Sequence, residues 1–114
     1  MNNCTGLTQA EILDDLRMLG VCPGDALEVH SSLSALGWVQ GGADTVVDAL
    51  MAAVGPEGAL VMSAFPLSKA LPVTDEDRAR GVSGMVRRYP PDWRGPTGMG
   101  VIVDTFLRRP GVLL

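Results

Sequence analysis

A short hydroxyl-rich segment, Ser31-Ser32-Leu33-Ser34, is the first place where residue types suggest chemistry. It directly follows an apolar stretch that ends at His30, so its serines would lie where a strand gives way to a loop. Hydroxyls and newly started backbone amides at such a point can cradle a phosphate or hydrogen-bond a ligand amide. Serines are also common in turns, where they bond the neighbouring backbone. The pattern alone leaves both interpretations open.

His30 is the only histidine in the chain, and histidine is the side chain that titrates near neutrality without perturbation. It is therefore a weak candidate for a general base. A lone histidine at a strand end is more often structural. Glu28, two residues away on the same strand face, is placed to contact it, but this spacing does not demonstrate a catalytic dyad. Cys4 and Cys22 stand apart without a CxxC pair, so we interpret them as plain thiols and predict no metal site.

The segments before the serines carry clear helix and strand signals. Thr8-Gln9-Ala10-Glu11 is a capping box that begins a helix, and Gly20 marks the end of that helix. A strand is predicted from Ala26 to His30, with Leu27 and Val29 on one face. The apolar stripe of the helix would consist of Ile12, Leu13, Leu16 and Leu19.

After a loop over 31–42 that includes one helical turn, the pattern returns to helix and then strand. A second helix begins near Asp44 and stops at Gly55-Pro56. The short apolar run from Ala59 to Met62 is typical of a strand covered on both faces. Two strands joined through an amphipathic helix predict a parallel pair in a layered α/β/α fold with a mostly parallel sheet. Ligands of such sheets gather at the carboxyl ends of the strands.

From residue 66 to residue 98 the periodicity is lost among prolines and charges, which predicts an irregular insertion within a single partial domain spanning 1–114. Thr97 is then expected to cap a third helix that ends at Arg108-Arg109. The apolar stripe of that helix would consist of Met99, Ile102, Val103, Phe106 and Leu107.

Composition limits the class of partner. With 114 residues, 46% of them hydrophobic, the chain can form one domain at most, and its net charge of −4 argues against nucleic acid. Seven arginines lie in the last third, where they serve either a polyanionic ligand or a solvated face. The absence of a run of about 20 apolar residues and of a signal sequence predicts no membrane partner and a cytoplasmic location.

A series of motifs occurs in order along the chain. They are Leu19-Gly20-Val21, Pro23-Gly24-Asp25, Val29-His30-Ser31-Ser32-Leu33-Ser34, Leu36-Gly37, Gly41-Gly42-Ala43, Val54-Gly55-Pro56-Glu57-Gly58 and Thr97-Gly98-Met99-Gly100-Val101-Ile102. Together they resemble the aminoglycoside N(3)-acetyltransferase family over essentially the whole chain. The resemblance implies transfer of an acetyl group from acetyl-coenzyme A to the 3-amino group of a 2-deoxystreptamine antibiotic, and hence antibiotic resistance.

The resemblance also implies a coenzyme site. Serine hydroxyls and backbone amides would lie near the pantetheine and pyrophosphate of the coenzyme. The expected coenzyme contacts are His30, Ser31, Ser32, Leu33, Ser34, Gly37 and Thr97. The catalytic histidine and acid of the family are expected beyond Leu114, so the catalytic residues within this chain are unknown.

The sequence departs from the family pattern at two places. Met62-Ser63-Ala64-Phe65 stands where the family usually has proline and threonine after the methionine, and Leu107 stands where it often has arginine. Members of the family are also more than twice as long as this chain, so we expect either a fragment or a truncated product.

The acidic run 75–77 could contribute to binding a cationic drug. The alternative is a non-catalytic remnant that binds coenzyme A or interacts with another chain through an open strand edge. An oligomer is possible.

Overall fold

The computed structural model describes residues 6–67 and 70–114, so Cys4 lies outside the described residues. Its elements follow one another as helices and short strands with one 3₁₀ turn between β1 and α2. In chain order they are α1 (Gln9–Met18), β1 (Ala26–Val29), the 3₁₀ turn (Leu33–Leu36), α2 (Ala43–Val54), β2 (Ala59–Met62), β3 (Ala70–Leu71), α3 (Asp75–Ala79), β4 (Met85–Val86) and α4 (Val101–Leu107).

Helix α1 begins as its sequence predicts. The Thr8 hydroxyl accepts a hydrogen bond from the Glu11 amide, and the Glu11 carboxylate accepts one from the Thr8 amide, which completes the capping box. Ile12 is buried against the core, but Leu19 is 81% exposed. The prediction that Leu19 belongs to the apolar stripe was wrong, because the helix ends at Met18 and Leu19 is its C-terminal cap.

Strands β1 and β2 form a parallel pair, with Ala26 opposite Ala59 and Val29 opposite Met62. Helix α2 joins the two strands, so the predicted crossover is confirmed, and the fold is α/β with a parallel sheet. The parallel arrangement brings the carboxyl ends of both strands to one edge. The residues that follow β1 therefore begin at the edge where ligands of such sheets bind.

One face of this sheet packs against the helices, and α2 lies at the centre of the core. Val47, Ala49 and Ala53 of α2 are fully buried, and the small alanines let neighbouring elements approach closely. Helix α2 contacts α1 and α4 as well as β2. The strand residues that pack against the core cluster are Leu27, Val29, Leu60 and Met62.

The other face of the β1–β2 pair is open in the described part of the chain. Val61 is 55% exposed, and Glu28, opposite it, is exposed as well. The prediction that β2 is covered on both faces is therefore wrong for the described residues. A continuous apolar run indicates that both faces are suited to burial, but not which other part of a fold covers them.

The segment 66–98 contains more regular structure than its sequence predicts. Strands β3 and β4 pair antiparallel, and α3 lies between them. Thr74 and Asp77 form a capping box at the start of α3, which begins a helix within the charged run that follows Thr74. Two-residue strands are too short to show a period-two pattern, which explains why they were not predicted. That this segment is an insertion within one domain stays a prediction.

Helix α4 begins three residues later than expected. Its N-terminal cap is Gly100, and no side chain caps it, so the prediction that Thr97 is the cap was wrong. Gly100 has φ +127° and ψ +159°, a backbone conformation open essentially to glycine alone, which cannot belong to a helix. The chain between Thr97 and Val101 is therefore a loop.

Several of the arginines hold the helices together. Arg109 at the end of α4 donates hydrogen bonds to Asp48 at 2.8 Å and to Asp44 at 3.0 Å, both on α2. The hydrogen bond that Arg109 donates to Asp48 is the largest cause that raises the pKa of Arg109 above its ordinary value. Arg94 donates to the carbonyl oxygen of Leu107 at 2.9 Å, where the last turn of α4 lacks partners. These two arginines have structural partners within the described chain.

Candidate functional site

Two loops meet in a groove of about 550 Å³ at the carboxyl end of β1. One loop supplies the serine segment that the sequence singled out, together with Gly37. The other loop leads into α4, and only its Thr97 is among the predicted coenzyme contacts. The groove-lining residues 98–101 were not predicted, although the Gly-x-Gly spacing before a helix was a usable signal. The groove is lined by Ser31, Ser32, Leu33, Ser34, Gly37, Gly98, Met99, Gly100 and Val101.

The close approach of the two loops depends on the backbone at Gly100. A Cβ atom built on Gly100 would lie 3.9 Å from the carbonyl oxygen of Ser31, so the two backbone segments lie close together there. The positive φ at Gly100 turns the chain from this contact directly into α4. An L-residue with a side chain would be strained at this φ, so we expect substitutions of Gly100 to distort the groove.

The Ser31 hydroxyl is the most informative atom in the groove. It is buried, and it has no hydrogen-bond partner among the described residues. A buried hydroxyl without a partner costs about 1–3 kcal/mol, and such groups are rare unless water, an ion or a ligand satisfies them. Ser31 lines the groove, so a bound ligand is a direct way to supply the missing partner.

The neighbouring serines add further polar groups. The hydroxyls of Ser32 and Ser34 lie 3.2 Å apart, at hydrogen-bond distance, and both residues are exposed. The amide of Ala35 donates to the carbonyl of Ser32, which begins the 3₁₀ turn. The two amides that precede it, of Leu33 and Ser34, have no partner within such a turn because its hydrogen bonds span three residues. The segment thus combines hydroxyls with amides that have no partner within the 3₁₀ turn. Hydroxyls and amides are the groups that bind phosphates and ligand amides.

Thr97 holds the loop 97–100 in place through hydrogen bonds. It is 3% exposed, its hydroxyl donates to the Asp104 carboxylate at 2.7 Å, and the same hydroxyl accepts from the Met99 amide at 3.0 Å. The Thr97 amide also donates to Asp104, at 3.0 Å. Thr97 is not among the residues that line the groove. Its expected contact with a coenzyme stays a prediction, while its hydrogen bonds make it a positioning residue for the loop 97–100.

Replacing Thr97 with valine is expected to lower the free energy of unfolding by roughly 1–3 kcal/mol, because the change keeps the shape but leaves the Met99 amide and the Asp104 carboxylate without the hydroxyl. Denaturant unfolding followed by circular dichroism measures this change. The matched control is Thr105→Val on α4, whose hydroxyl makes no hydrogen bond to the described residues; we expect it to stay within about 0.5 kcal/mol of the unchanged chain. Equal effects of both variants would contradict the positioning role.

His30 is not part of the groove. Its Nε2 lies 3.4 Å from the Glu28 carboxylate, and both side chains are largely exposed to solvent. The two residues project from the open face of the sheet, whereas the groove is formed by the residues that follow. The structure therefore brings Ser31, Ser32, Leu33, Ser34 and Gly37 together and leaves His30 outside them.

The acidic residues 75–77, which could bind a cationic drug, form ion pairs or hydrogen bonds with residues near them in the chain. Asp75 pairs with Arg78 at 3.1 Å, Glu76 pairs with Arg80 at 2.7 Å, and Asp77 accepts the hydrogen bond from the Thr74 amide.

Cys22 is an exposed free thiol. Within residues 6–67 and 70–114, no cluster of three or more histidine, cysteine or carboxylate side chains is placed to bind a metal. No helix in that part of the chain is both long and apolar enough to cross a membrane.

Fold and groove together define an α/β protein with a serine-lined groove at the end of a parallel strand. Comparison with known proteins identifies its family. The family model described as aminoglycoside 3-N-acetyltransferase matches residues 29–114, which is most of the chain and includes both loops of the groove. The chain belongs to this family.

Individual relatives agree with the family model. An aminoglycoside N(3)-acetyltransferase III of Serratia marcescens is 44% identical over 88 residues, which are 74% of this chain and 31% of the relative. A prophage-derived aminoglycoside N(3')-acetyltransferase-like protein of Bacillus subtilis is 36% identical over 112 residues, covering 92% of this chain and 41% of the relative. The chain thus spans less than half the length of these curated relatives.

A solved structure supports the same fold. The structure described as the binary complex of AAC-IIIb with CoASH superposes with a TM-score of 0.68 at 29% identity. The match covers 91% of this chain and 40% of that chain. The described part of the molecule therefore adopts the family fold, and a neighbour with this fold binds coenzyme A.

Proposed function

We propose that this chain forms the coenzyme-A-binding part of an aminoglycoside N(3)-acetyltransferase, and that Ser31 is its central coenzyme contact. The observation that carries the proposal is that the buried hydroxyl of Ser31, a residue that lines the groove, has no hydrogen-bond partner among the described residues. The neighbour bound to CoASH supports coenzyme A as the ligand class. The names of the relatives support an aminoglycoside as the acetyl acceptor.

The groove suits the chemistry of the coenzyme. Pantetheine carries two amides and the adjoining nucleotide carries phosphates, so the ligand needs both hydroxyl partners and amide donors. The Ser31 hydroxyl can bond a pantetheine amide, and the amides of Leu33 and Ser34 can donate to a carbonyl or phosphate oxygen. The open backbone from Gly98 to Gly100 leaves room for an extended ligand close to the main chain.

The reaction of the complete family site would need more than binding. When bound, acetyl-coenzyme A supplies a thioester whose acetyl group an amine can attack. Attack requires a base that takes the proton from the amine and donors that stabilise the oxyanion. His30 does not line the groove, and among the described residues its side chain pairs with Glu28 at the surface. Both observations argue against His30 as this base. We infer that the described residues orient the coenzyme, and that inactivation of the antibiotic depends on further groups.

Titration of isotope-labelled chain with coenzyme A, followed by amide NMR, tests the site. We expect the amides of residues 31–37 and 98–101 to shift together and to saturate with one dissociation constant, because both loops line one groove. The amides of α1 provide the internal reference and should stay in place. Saturable shifts confined to β2 and the segment 87–93 would place the ligand in another groove and would contradict the proposal.

A further inference from the structure

The groove at the carboxyl end of β1 is polar, but none of the described residues that line it carries a charged side chain. Its polar groups are the serine hydroxyls of the segment 31–34 and the backbone of both loops. The seven arginines in the last third of the chain do not line it. Arg94 and Arg109 donate to partners on the helices, and Arg87 lines a separate groove beside β2. The groove therefore lacks a cation within the described chain.

The two ends of coenzyme A differ in what they require of a protein. All of its phosphates belong to the nucleotide end, as a diphosphate and a ribose 3′-phosphate. Sites that select phosphates combine cations with backbone amides that point at one anion. The pantetheine arm is uncharged and holds amides and a hydroxyl between aliphatic carbons. The chemistry of the groove can therefore indicate which end it takes.

The loop before α4 has the glycine spacing of a phosphate-binding loop, but one of its amides is already bonded. The Met99 amide, in the middle of the loop, donates to the Thr97 hydroxyl at 3.0 Å. That hydroxyl donates in turn to the Asp104 carboxylate at 2.7 Å. An anion at this loop would lack the Met99 amide and would approach hydrogen bonds that end in a carboxylate. Both features disfavour phosphate.

The remaining wall of the groove suits an uncharged arm. Leu33, Met99 and Val101 line it, and Val101 is 48% exposed. Aliphatic carbons of a ligand that cover these side chains remove apolar surface from water. The buried Ser31 hydroxyl has no partner among the described residues, and a ligand amide can supply one without bringing a charge.

We propose that the groove recognises the pantetheine arm alone and leaves the nucleotide with its phosphates outside. The site then accepts pantetheine thioesters as a class, whether or not they carry the nucleotide. This inference rests on the proposed function, because it names the part of the coenzyme that the site selects. It can fail separately, because coenzyme A could also bind through its phosphates.

The test titrates residues 1–114 with coenzyme A, with pantetheine and with adenosine 3′,5′-bisphosphate, which is the nucleotide part without the arm. Calorimetry gives each affinity, and amide NMR locates each ligand. We expect pantetheine to bind within about fivefold of the affinity of coenzyme A, because charges that stay in solvent contribute at most about that factor. The bisphosphate should leave the amides of residues 31–37 and 98–101 unshifted at millimolar concentration.

Ser31→Ala shows whether both ligands use the same contact. It should weaken pantetheine and coenzyme A by the same factor of about ten, because the hydroxyl bonds the arm that they share. Ser83→Ala is the matched control and should change neither affinity, because Ser83 is exposed and does not line the groove.

Three results would overturn the inference while coenzyme A still binds and the proposed function stands. The first is pantetheine binding more than about fivefold weaker than that of coenzyme A. The second is saturable binding of the bisphosphate at residues 31–37 or 98–101. The third is a Ser31→Ala variant that loses affinity for coenzyme A but not for pantetheine. Absence of coenzyme A binding contradicts the proposed function itself, and this inference with it.

Discussion

Replacing Ser31 with alanine is expected to lower the affinity for coenzyme A about tenfold and to leave the free chain as stable as before, or slightly more stable. The Ser31 hydroxyl is buried and has no hydrogen-bond partner among the described residues, so its removal relieves an unmet hydrogen-bonding group in the free chain. In the complex the same hydroxyl would bond the ligand, and losing that bond costs about 1–1.5 kcal/mol, or roughly tenfold in affinity. Calorimetric titration measures the affinity, and thermal unfolding without ligand measures the stability.

A loss of coenzyme affinity without a loss of stability distinguishes a ligand contact from a structural residue. Ser83→Ala is the matched control, because Ser83 is exposed and does not line the groove. It should change neither affinity nor stability. A Ser31→Ala variant that unfolds at a clearly lower temperature while binding coenzyme A normally would show that the hydroxyl has a structural role instead.

The second large effect concerns catalysis. Residues 1–114 alone are expected to acetylate an aminoglycoside at least about a hundredfold more slowly than a complete family member, because a positioned base contributes roughly a hundred- to ten-thousand-fold to the rate. Within the described chain, His30 is exposed beside Glu28 and lies outside the groove. Formation of free thiol from acetyl-coenzyme A in the presence of an aminoglycoside, with the complete Serratia marcescens relative run in parallel, measures the rate.

His30→Ala provides the internal check on this expectation. If His30 is not the base, the variant has the same residual rate as the unchanged chain. A rate for residues 1–114 comparable to that of the complete relative, abolished by His30→Ala, would contradict the account and would make His30 the catalytic base.

The central α/β unit could be predicted from the sequence because its signals are local. The capping box at Thr8, the apolar spacing of α2 and the short apolar run of β2 each specify one element. The crossover rule then orients the two strands, and the observed parallel register agrees with it. What the sequence could not reveal was that the second face of β2 is open in the part of the chain that the structure describes. Burial depends on neighbours that are distant in sequence, whereas the apolar run shows only that the strand tolerates burial.

Only one of the two loops that line the candidate groove has a signal that is local in the sequence. The serine segment is visible because it directly follows a predicted strand, so its place at the sheet edge follows from chain order. The loop from Gly98 to Gly100 reaches the same groove across about sixty residues of intervening chain, and only the tertiary fold brings it to Ser31. Thr97 was misassigned as a helix cap because a threonine before an apolar stripe predicts one. The glycine conformation at Gly100 and the hydrogen bonds to Asp104 override that preference.

We propose that coenzyme A binds in the groove between the serine segment 31–34 and residues 98–101. Isothermal titration calorimetry of residues 1–114 with coenzyme A tests it most directly, with the Ser31→Ala, Ser32→Ala double variant titrated under the same conditions. We expect saturable binding at one site in the unchanged chain, and binding at least about tenfold weaker in the double variant. No heat of binding at millimolar coenzyme A, or equal affinity in both proteins, would contradict it.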